Sequence, residues 1–455
     1  MKSGSRAGRA YWSPPDASQV VAEVARRLAV PDTVRRIALA PGNLDSYRGR
    51  PPRPPWEPSS LIEGFPGVSL LHAELGRNEP RARAVAHAHL AATGPQRWSP
   101  RLPTGLYGGP TALAFAARAA AHSASDYASL LSRLDQSVLA RARFLLDAAA
   151  PTPSDAAGDA SPVRPAASGE FDVLSGLSGI GRYLLGCRPD HGDVLEEVLA
   201  GLVRLGDPVR VGGHEVPGWW TGDTPASRSE PVRGHFAVGM AHGVAGPLAL
   251  LALAERDGTG VAGAGRTAER MAEWLLSWRQ WDEAGPFWPA TVTLHEQLTG
   301  RLKGPSQPRA GWCHGSPGIS RALYLAGRAF GRPAWTQAAL DSLTAALVRA
   351  LSLHPVDNTG LCHGWAGLLR ITQLMARDTG EPDLHSQLGT LADAVMRRFR
   401  PETPFGFALS TPGEAHLAAD RAGFLEGAAG TALALHAYSQ HAAPATGWDT
   451  ALLID

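Results

Sequence analysis

Apolar residues fall into two kinds of run along this chain. In one kind the residues are hydrophobic almost all round, as over 247–254 and 431–436, which is the profile of a buried helix. In the other, polar residues occupy one face at helical spacing, as over 126–146, 193–205, 266–279 and 335–353, which predicts amphipathic outer helices. Strand-like alternation is scarce. The two kinds take turns, and each buried run follows a short glycine-centred segment. The first glycines of these segments are Gly64, Gly108, Gly176, Gly243, Gly315, Gly364 and Gly427, and all but the second segment read Gly-x-x-Gly. Thr111 stands where the second segment would have its last glycine.

Seven repeats of outer helix, loop and inner helix predict one architecture better than another. An open solenoid would leave an apolar inner surface wet, whereas a closed double ring buries it. The expectation is therefore an all-α fold, an α/α toroid with inner helices inside outer ones. Glycines at the inner helix starts are expected to permit positive φ and to let backbones crowd together at one end of the ring. Seven helix N-termini would converge there and offer partial positive charge to an anion such as a thiolate. Three Pro-, Gly-, Asp- or Ser-rich stretches, 41–59, 151–169 and 206–233, read as loops. Residues 1–18 read as a disordered N-terminal tail and 19–455 as a single toroid domain.

Composition narrows the function classes. The 455 residues include 44% hydrophobic and 19% charged, so the chain has enough apolar material for a sizeable core and is not disordered. Lys plus Arg (43) nearly balances Asp plus Glu (42), which removes any bulk electrostatic case for nucleic acid or an anionic membrane. Three cysteines, Cys187, Cys313 and Cys362, are too few for a disulfide framework and suit a reducing compartment. The N-terminus has no apolar stretch behind its positive charge, and the longest apolar run, 244–254, is shorter than the roughly 18 residues of a membrane span. A cytoplasmic protein without membrane insertion is expected.

The repeat register turns scattered residues into a constellation. Two positions before the first glycine stand Ile62, Leu106, Leu174, Ala241, Cys313, Cys362 and Leu425; one position before it stand Glu63, Tyr107, Ser175, His242, His314, His363 and Glu426. Two cysteines share one slot, and three consecutive repeats carry histidine in the next. Two Cys and one His with a fourth position open form a catalytic zinc arrangement, so Cys313, Cys362 and His363 are the candidate ligands of a Zn2+ ion. The competing reading is two small thiols packed in a core. Cys187 lies outside the slot and reads as a packed thiol. Trp219 and Trp220 read as an aromatic pair packed on the outer ring rather than as peptide contacts.

The segments Gly239-Met-Ala-His-Gly-Val-Ala-Gly-Pro247, Gly311-Trp-Cys-His-Gly-Ser-Pro-Gly-Ile319 and Gly360-Leu-Cys-His-Gly-Trp-Ala-Gly367 resemble the lanthionine synthetase C-like (LanC-type) cyclases. So do the segment from Phe171 to Gly181, Gly423-Phe-Leu-Glu-Gly-Ala-Ala-Gly430 and the closing stretch from Trp448 to Asp455. The resemblance spans the chain from about residue 20 onward. It implies a toroid of seven inner and seven outer helices around one zinc ion held by Cys313, Cys362 and His363. It also implies addition of peptide cysteine thiols to dehydroalanine or dehydrobutyrine, giving (methyl)lanthionine thioether rings. By position, His242 matches the family's acid/base histidine, Asp172 its aspartate and Arg309 its arginine before the first ligand. Many bacterial cyclases have Tyr after that ligand; His314 here is similar to the eukaryotic LanC-like proteins.

The chemistry agrees with the resemblance. A thiol of pKa about 8.5 is mostly protonated at neutral pH, and only the thiolate attacks. A metal with an open position can bind the substrate thiol and release its proton. Attack on the β-carbon builds enolate character, and the α-carbon must then gain a proton; His242 is the candidate acid, with His314 as competitor. Arg309 could stabilise the enolate oxygen, and Asp172 could orient an imidazole or simply cap a helix. The partners expected are a dehydrated precursor peptide and a separate dehydratase, since no dehydratase-like region precedes the repeats. Two other functions compete: addition of glutathione or another small thiol to dehydro residues, and a non-catalytic peptide-binding scaffold.

Overall fold

Proline marks where many of the helices begin. Its fixed φ and missing N–H suit the first helical turn, and seven helices carry it there. The structure, a computed structural model, describes residues 16–45, 51–149, 167–222, 232–354, 356–411 and 414–455. In chain order the helices are α1 (Ala17–Arg27), α2 (Pro31–Ala38), α3 (Phe65–Leu75), α4 (Pro80–Ala92), α5 (Gly109–Ala120) and α6 (Ala128–Ala148). They continue as α7 (Ser168–Phe171), α8 (Leu177–Leu185), α9 (Gly192–Val203), α10 (Ala245–Arg256), α11 (Ala264–Ser277) and α12 (Leu294–Thr299). The last five are α13 (Ser316–Ala329), α14 (Pro333–Val348), α15 (Trp365–Thr379), α16 (Pro382–Met396) and α17 (Ala428–Gln440).

Seven of these, α3, α5, α8, α10, α13, α15 and α17, follow the glycine segments and form the inner ring. Each packs on the next, and α17 returns to α3, so the circle closes. The outer ring is α4, α6, α9, α11, α14, α16 and α1. The last is supplied by the N-terminal end of the chain, because α1 lies against α17 and α16. The protein is thus the α/α toroid expected. Inner helices are Ala- and Leu-rich and buried on every side; in α10 each residue from Ala245 to Ala254 is buried. Outer helices keep a wet face, and α1 buries only Ala17, Val20, Val21 and Val24. Of the tail expected over 1–18, residues 1–15 lie outside the described residues, and Ala17 and Ser18 already belong to α1.

Main-chain hydrogen bonds sew the slots into a ring at the N-terminal ends of the inner helices. They run Leu61 N to Tyr107 O (3.0 Å), Tyr107 N to Leu174 O (3.2 Å), Val173 N to Ala241 O (3.0 Å) and Ala241 N to Cys313 O (3.2 Å). They continue Cys313 N to Cys362 O (3.2 Å), Cys362 N to Leu425 O (2.9 Å) and Phe424 N to Leu61 O (3.0 Å). Backbones this close leave no room for a Cβ: one added to Gly239 would lie 2.1 Å from the Cys313 carbonyl oxygen. Close approach is what most of these glycines provide, and Gly109 at the start of α5 takes a positive φ of 70°. Gly64, Gly176, Gly315, Gly364 and Gly427 all have negative φ.

The donors at the helix starts have partners within the chain. The N-termini converge, and outside the second repeat first-turn N–H groups donate to carbonyls seven residues earlier. Trp365, Ala366 and Gly367 donate to Asn358, Thr359 and Gly360, and Ala428, Ala429 and Gly430 donate to Arg421, Ala422 and Gly423. In these repeats the leading segment folds back on its helix start and answers donors the helix leaves open.

Connections from inner to outer helices are short, between two and seven residues, whereas those entering the inner helices are long. The long ones carry four two-stranded antiparallel pairings: Val209–Val211 with His214–Val216, Phe236–Ala237 with Thr291–Val292, Gln280–Asp282 with Gly285–Phe287, and Ala408–Thr411 with Glu414–Asp420. The 206–233 loop thus contains a hairpin the sequence did not announce. Trp219 and Trp220 behind it are buried, ring edge to ring face against Trp274 of α11 and against Phe236. Most of the loop expected over 151–169 lies outside the described residues. Among the described residues no helix is long and apolar enough to cross a membrane.

Candidate metal and acid–base site

The backbone ring brings the slots of repeats four to seven side by side, and with them the chemistry. Cys313, Cys362 and His363 each offer one ligand atom, and these three atoms all lie within 4.8 Å of one another. Cys313 Sγ is 4.0 Å from His363 Nδ1. Two thiols and an imidazole gathered this closely, from repeats whose segments are bonded main chain to main chain, fit a soft divalent metal with one coordination position left over.

The electrostatics suit that donor set. A hydrogen bond from the Cys362 thiol holds the Cys313 sulfur well below the usual thiol range, against burial and with His363 adding to the effect. Burial works against charge on His363, but the hydrogen bond and charge of Cys313, with Glu426, raise its pKa nonetheless. Cys187 behaves differently: its Sγ donates to the Tyr183 carbonyl at 3.2 Å, and burial pushes its pKa up to about 11. It is the packed thiol expected.

Beside the cluster stands a second constellation. Asp172 Oδ2 accepts from His242 Nδ1 at 2.6 Å. The other oxygen, Oδ1, accepts from the backbone N–H groups of Ser175 (2.7 Å) and Gly176 (2.9 Å), just ahead of α8. Capping and imidazole contact are therefore both made by Asp172, one through each oxygen. The carboxylate is buried and held at three points, which fixes the tautomer of His242 with its proton on Nδ1. The His314 ring stacks on His242 at 5.8 Å between centroids. Burial, with the cationic neighbours His242, Arg309 and His363, lowers the His314 pKa against the pull of Cys313. His314 Nδ1 has no hydrogen-bond partner among the described residues. Arg309 is exposed on the segment entering the fifth repeat, and its carbonyl accepts from Ser316 N–H at 3.1 Å.

Six of the seven residues singled out from the sequence are joined by side-chain or backbone contacts at this rim, and Arg309 is near enough for its charge to act on His314. Two further groups were not singled out. Glu426, in the histidine slot of the seventh repeat, brings Oε1 within 3.6 Å of His363 Nδ1; the register that located the histidines also contains it. Deeper in the ring, Arg182, Arg321 and Arg370 each stand six residues after a first glycine, a register that was equally readable. Their side chains fasten the segment 448–455 inside the ring. Arg370 reaches Asp449 Oδ2 at 2.5 Å, Arg321 the Ile454 carbonyl at 2.6 Å, and Arg182 Asp455 Oδ2 at 2.7 Å. Trp312, the neighbour of Cys313, donates from Nε1 to the Leu452 carbonyl at 2.8 Å, so this segment also braces the backbone that carries Cys313.

An α/α toroid with two cysteines and a histidine at its rim defines a known class. The lanthionine synthetase C-like family matches the chain over residues 55–453, and the chain belongs to that family. Among its relatives is the nisin biosynthesis protein NisC of Lactococcus lactis subsp. lactis, 25% identical over 246 residues. That alignment takes in 52% of this chain and 57% of the relative, so it spans little more than half of either. The solved structure of a nisin cyclase has the same fold, with a TM-score of 0.70 at 22% identity over 87% of this chain and 92% of that one.

Proposed function

We propose that the protein is a zinc-dependent lanthipeptide cyclase, adding cysteine thiols of a dehydrated precursor peptide across the double bonds of dehydroalanine or dehydrobutyrine. The observation that carries this reading is the juxtaposition of the Cys313–Cys362–His363 cluster with the His242–Asp172 pair at one rim. Cys313, Cys362 and His363 would hold the zinc, which supplies an open position where a substrate thiol loses its proton at neutral pH.

The rest of the work falls to the chain's own side chains. The reaction forms a carbon–sulfur bond at the β-carbon, places the π-electron pair on the α-carbon and amide oxygen, and returns a proton to the α-carbon. Asp172 holds the His242 imidazole with Nδ1 toward it, so proton delivery runs through Nε2, and the carboxylate stabilises the imidazolium before transfer. Arg309, on the approach to the fifth repeat, supplies positive charge for the enolate oxygen. His314, stacked on His242, is the competing proton donor, and its lowered pKa favours His242 for that task. The soluble setting of the reaction would be the cytoplasm, with dehydration supplied by a separate enzyme.

The test is direct. Purified protein is given a dehydrated, cysteine-containing peptide, and free thiols are then alkylated and counted by mass spectrometry. Loss of alkylatable thiol without change of peptide mass is ring formation; a mass gain with added glutathione would instead favour the small-thiol reading. Cys313→Ala and His242→Ala should each abolish or cripple ring formation. If both left it untouched, the mechanism would be wrong.

A further inference from the structure

Glu426 does not approach His363 alone. Its other carboxylate oxygen, Oε2, is bonded by Arg421 Nη1, and Arg421 Nη2 is bonded to Asp45 Oδ1. The side chains of Asp45, Arg421 and Glu426 are all buried. Asp45 in turn is clasped by a backbone bridge to Arg53, with N–H···O distances of 2.8 and 3.2 Å. Asn43 pins the other flank, donating to the Asp420 carbonyl at 2.9 Å and accepting from the Asp420 N–H at 2.8 Å. A chain of alternating charge thus runs from the loop after α2 to a candidate metal ligand.

Such an arrangement has a physical reason. A carboxylate buried near two sulfurs would be repelled by their charge and poorly solvated, and Arg421 offsets both effects while fixing where the carboxylate points. An imidazole with two free torsions is a poor ligand until something holds the ring in place. We propose that Asp45, Arg421 and Glu426 form a positioning relay that orients His363 and sets the affinity of the metal cluster. The inference rests on the reading of that cluster as a zinc site. Glu63 provides a graded comparison: it occupies the same slot in the first repeat and is equally buried, but it is paired with Arg53 at 2.7 Å and reaches Asp45 and Arg421 only through longer-range charge, with no contact to a ligand.

The experiment titrates metal-free full-length protein with zinc against a chromophoric chelator, and with cobalt(II) to record its thiolate charge-transfer and ligand-field bands. Glu426→Gln should weaken zinc binding about 10–100-fold and shift the cobalt bands, and Asp45→Asn should do the same to a smaller degree. Glu63→Gln should bind zinc as the wild type does. Unchanged zinc affinity and cobalt spectrum in Glu426→Gln would overturn the relay, as would an equal loss in Glu63→Gln, which would mean a general rim charge effect. Should Glu426→Gln fail to fold, Asp45→Asn decides on the same titration, and wild-type affinity there overturns the proposal. A wild type that binds no zinc is a different result, because it would remove the zinc reading itself.

Discussion

Two layers of the ring use the same repeat differently. At the rim, in the two positions before the first glycine, Cys313 and Cys362 are held by backbone bonds between neighbouring repeats, and His242, His314 and His363 follow them or their counterpart Ala241 directly in the chain. Six residues past that glycine, Arg182, Arg321 and Arg370 point inward from α8, α13 and α15 and are consumed in holding the segment 448–455. The rim keeps its polar groups close but leaves coordination and proton transfer to be completed by something outside the chain. In the deeper layer the three guanidinium groups find their partners within the chain. Chemistry needs unsatisfied valence in a fixed frame, and the strap layer supplies the frame through its paired arginines.

The comparison breaks most visibly at the ligands. Cys362→Ser should take zinc content, measured by elemental analysis, from about one ion per chain to near none, and reduce cyclisation to background. His242→Asn and Asp172→Asn should instead keep the zinc and slow cyclisation by about 10²–10⁴-fold, because only the proton transfer is lost. Loss of both zinc and activity in either variant would mean that the metal cluster and the acid–base pair are a single unit.

The strap layer should respond in stability rather than chemistry. Arg370→Met leaves Asp449 buried without its partner, a loss of about 3–5 kcal/mol that calorimetry would read as a lowered Tm. Folded Arg370→Met protein should still bind one zinc. An unchanged Tm would mean that the strap is held by its apolar contacts, such as Trp448 against Phe424, and not by the arginines.

Acid should reach a third place, the wall between α3 and α4. His72 and His89 stack at 5.7 Å, and His89 Nε2 donates to the Leu28 carbonyl just past α1 at 2.7 Å. Burial pulls their pKa values down to about 3 and about 4, with His89 adding to the shift of His72. Both are therefore neutral in the folded protein, while in the unfolded chain they protonate near 6.5. Their contribution is fully present above that value and is lost as pH falls toward 4, at about 1.4 kcal/mol per pH unit for each. Denaturant midpoints from pH 7 to 4 would record the slope, and His72→Leu should flatten it. An identical slope in the variant would place the acid sensitivity elsewhere.

The smallest effect is expected at Gly311. A Cβ there would meet the His363 Cβ at 2.9 Å, so Gly311→Ala should nudge the ligand and weaken zinc several-fold while leaving its stoichiometry at one. No change in affinity would show that the rim can yield.

Much of this was legible in the chain. The alternation of all-apolar and amphipathic runs announced inner and outer helices, and register alone put Cys313 and Cys362 in one slot and three histidines in the next. Glu426 was visible in that same slot but did not stand out, because one glutamate among histidines has no chemistry until its neighbour is known. Arg421 and Asp45 could not have been found: 376 positions separate them in sequence, and no motif joins them. The hairpins were missed because strands of two to seven residues leave almost no periodic signal. The glycines were read for conformational freedom and for crowding; crowding is what most of them provide, and the identity of the neighbour each one meets was not legible in the chain.

The sequence by itself determined the helical class, the repeat count and the donor types, because hydrophobic periodicity and register are local properties of a chain. Only the tertiary structure decided that α1 completes the outer ring against α17, that the 448–455 segment fills the ring beneath the rim, and that His242 meets Asp172 while His363 meets Glu426. Those facts depend on closure. Until the last repeat is bonded to the first, no distance between slots is defined.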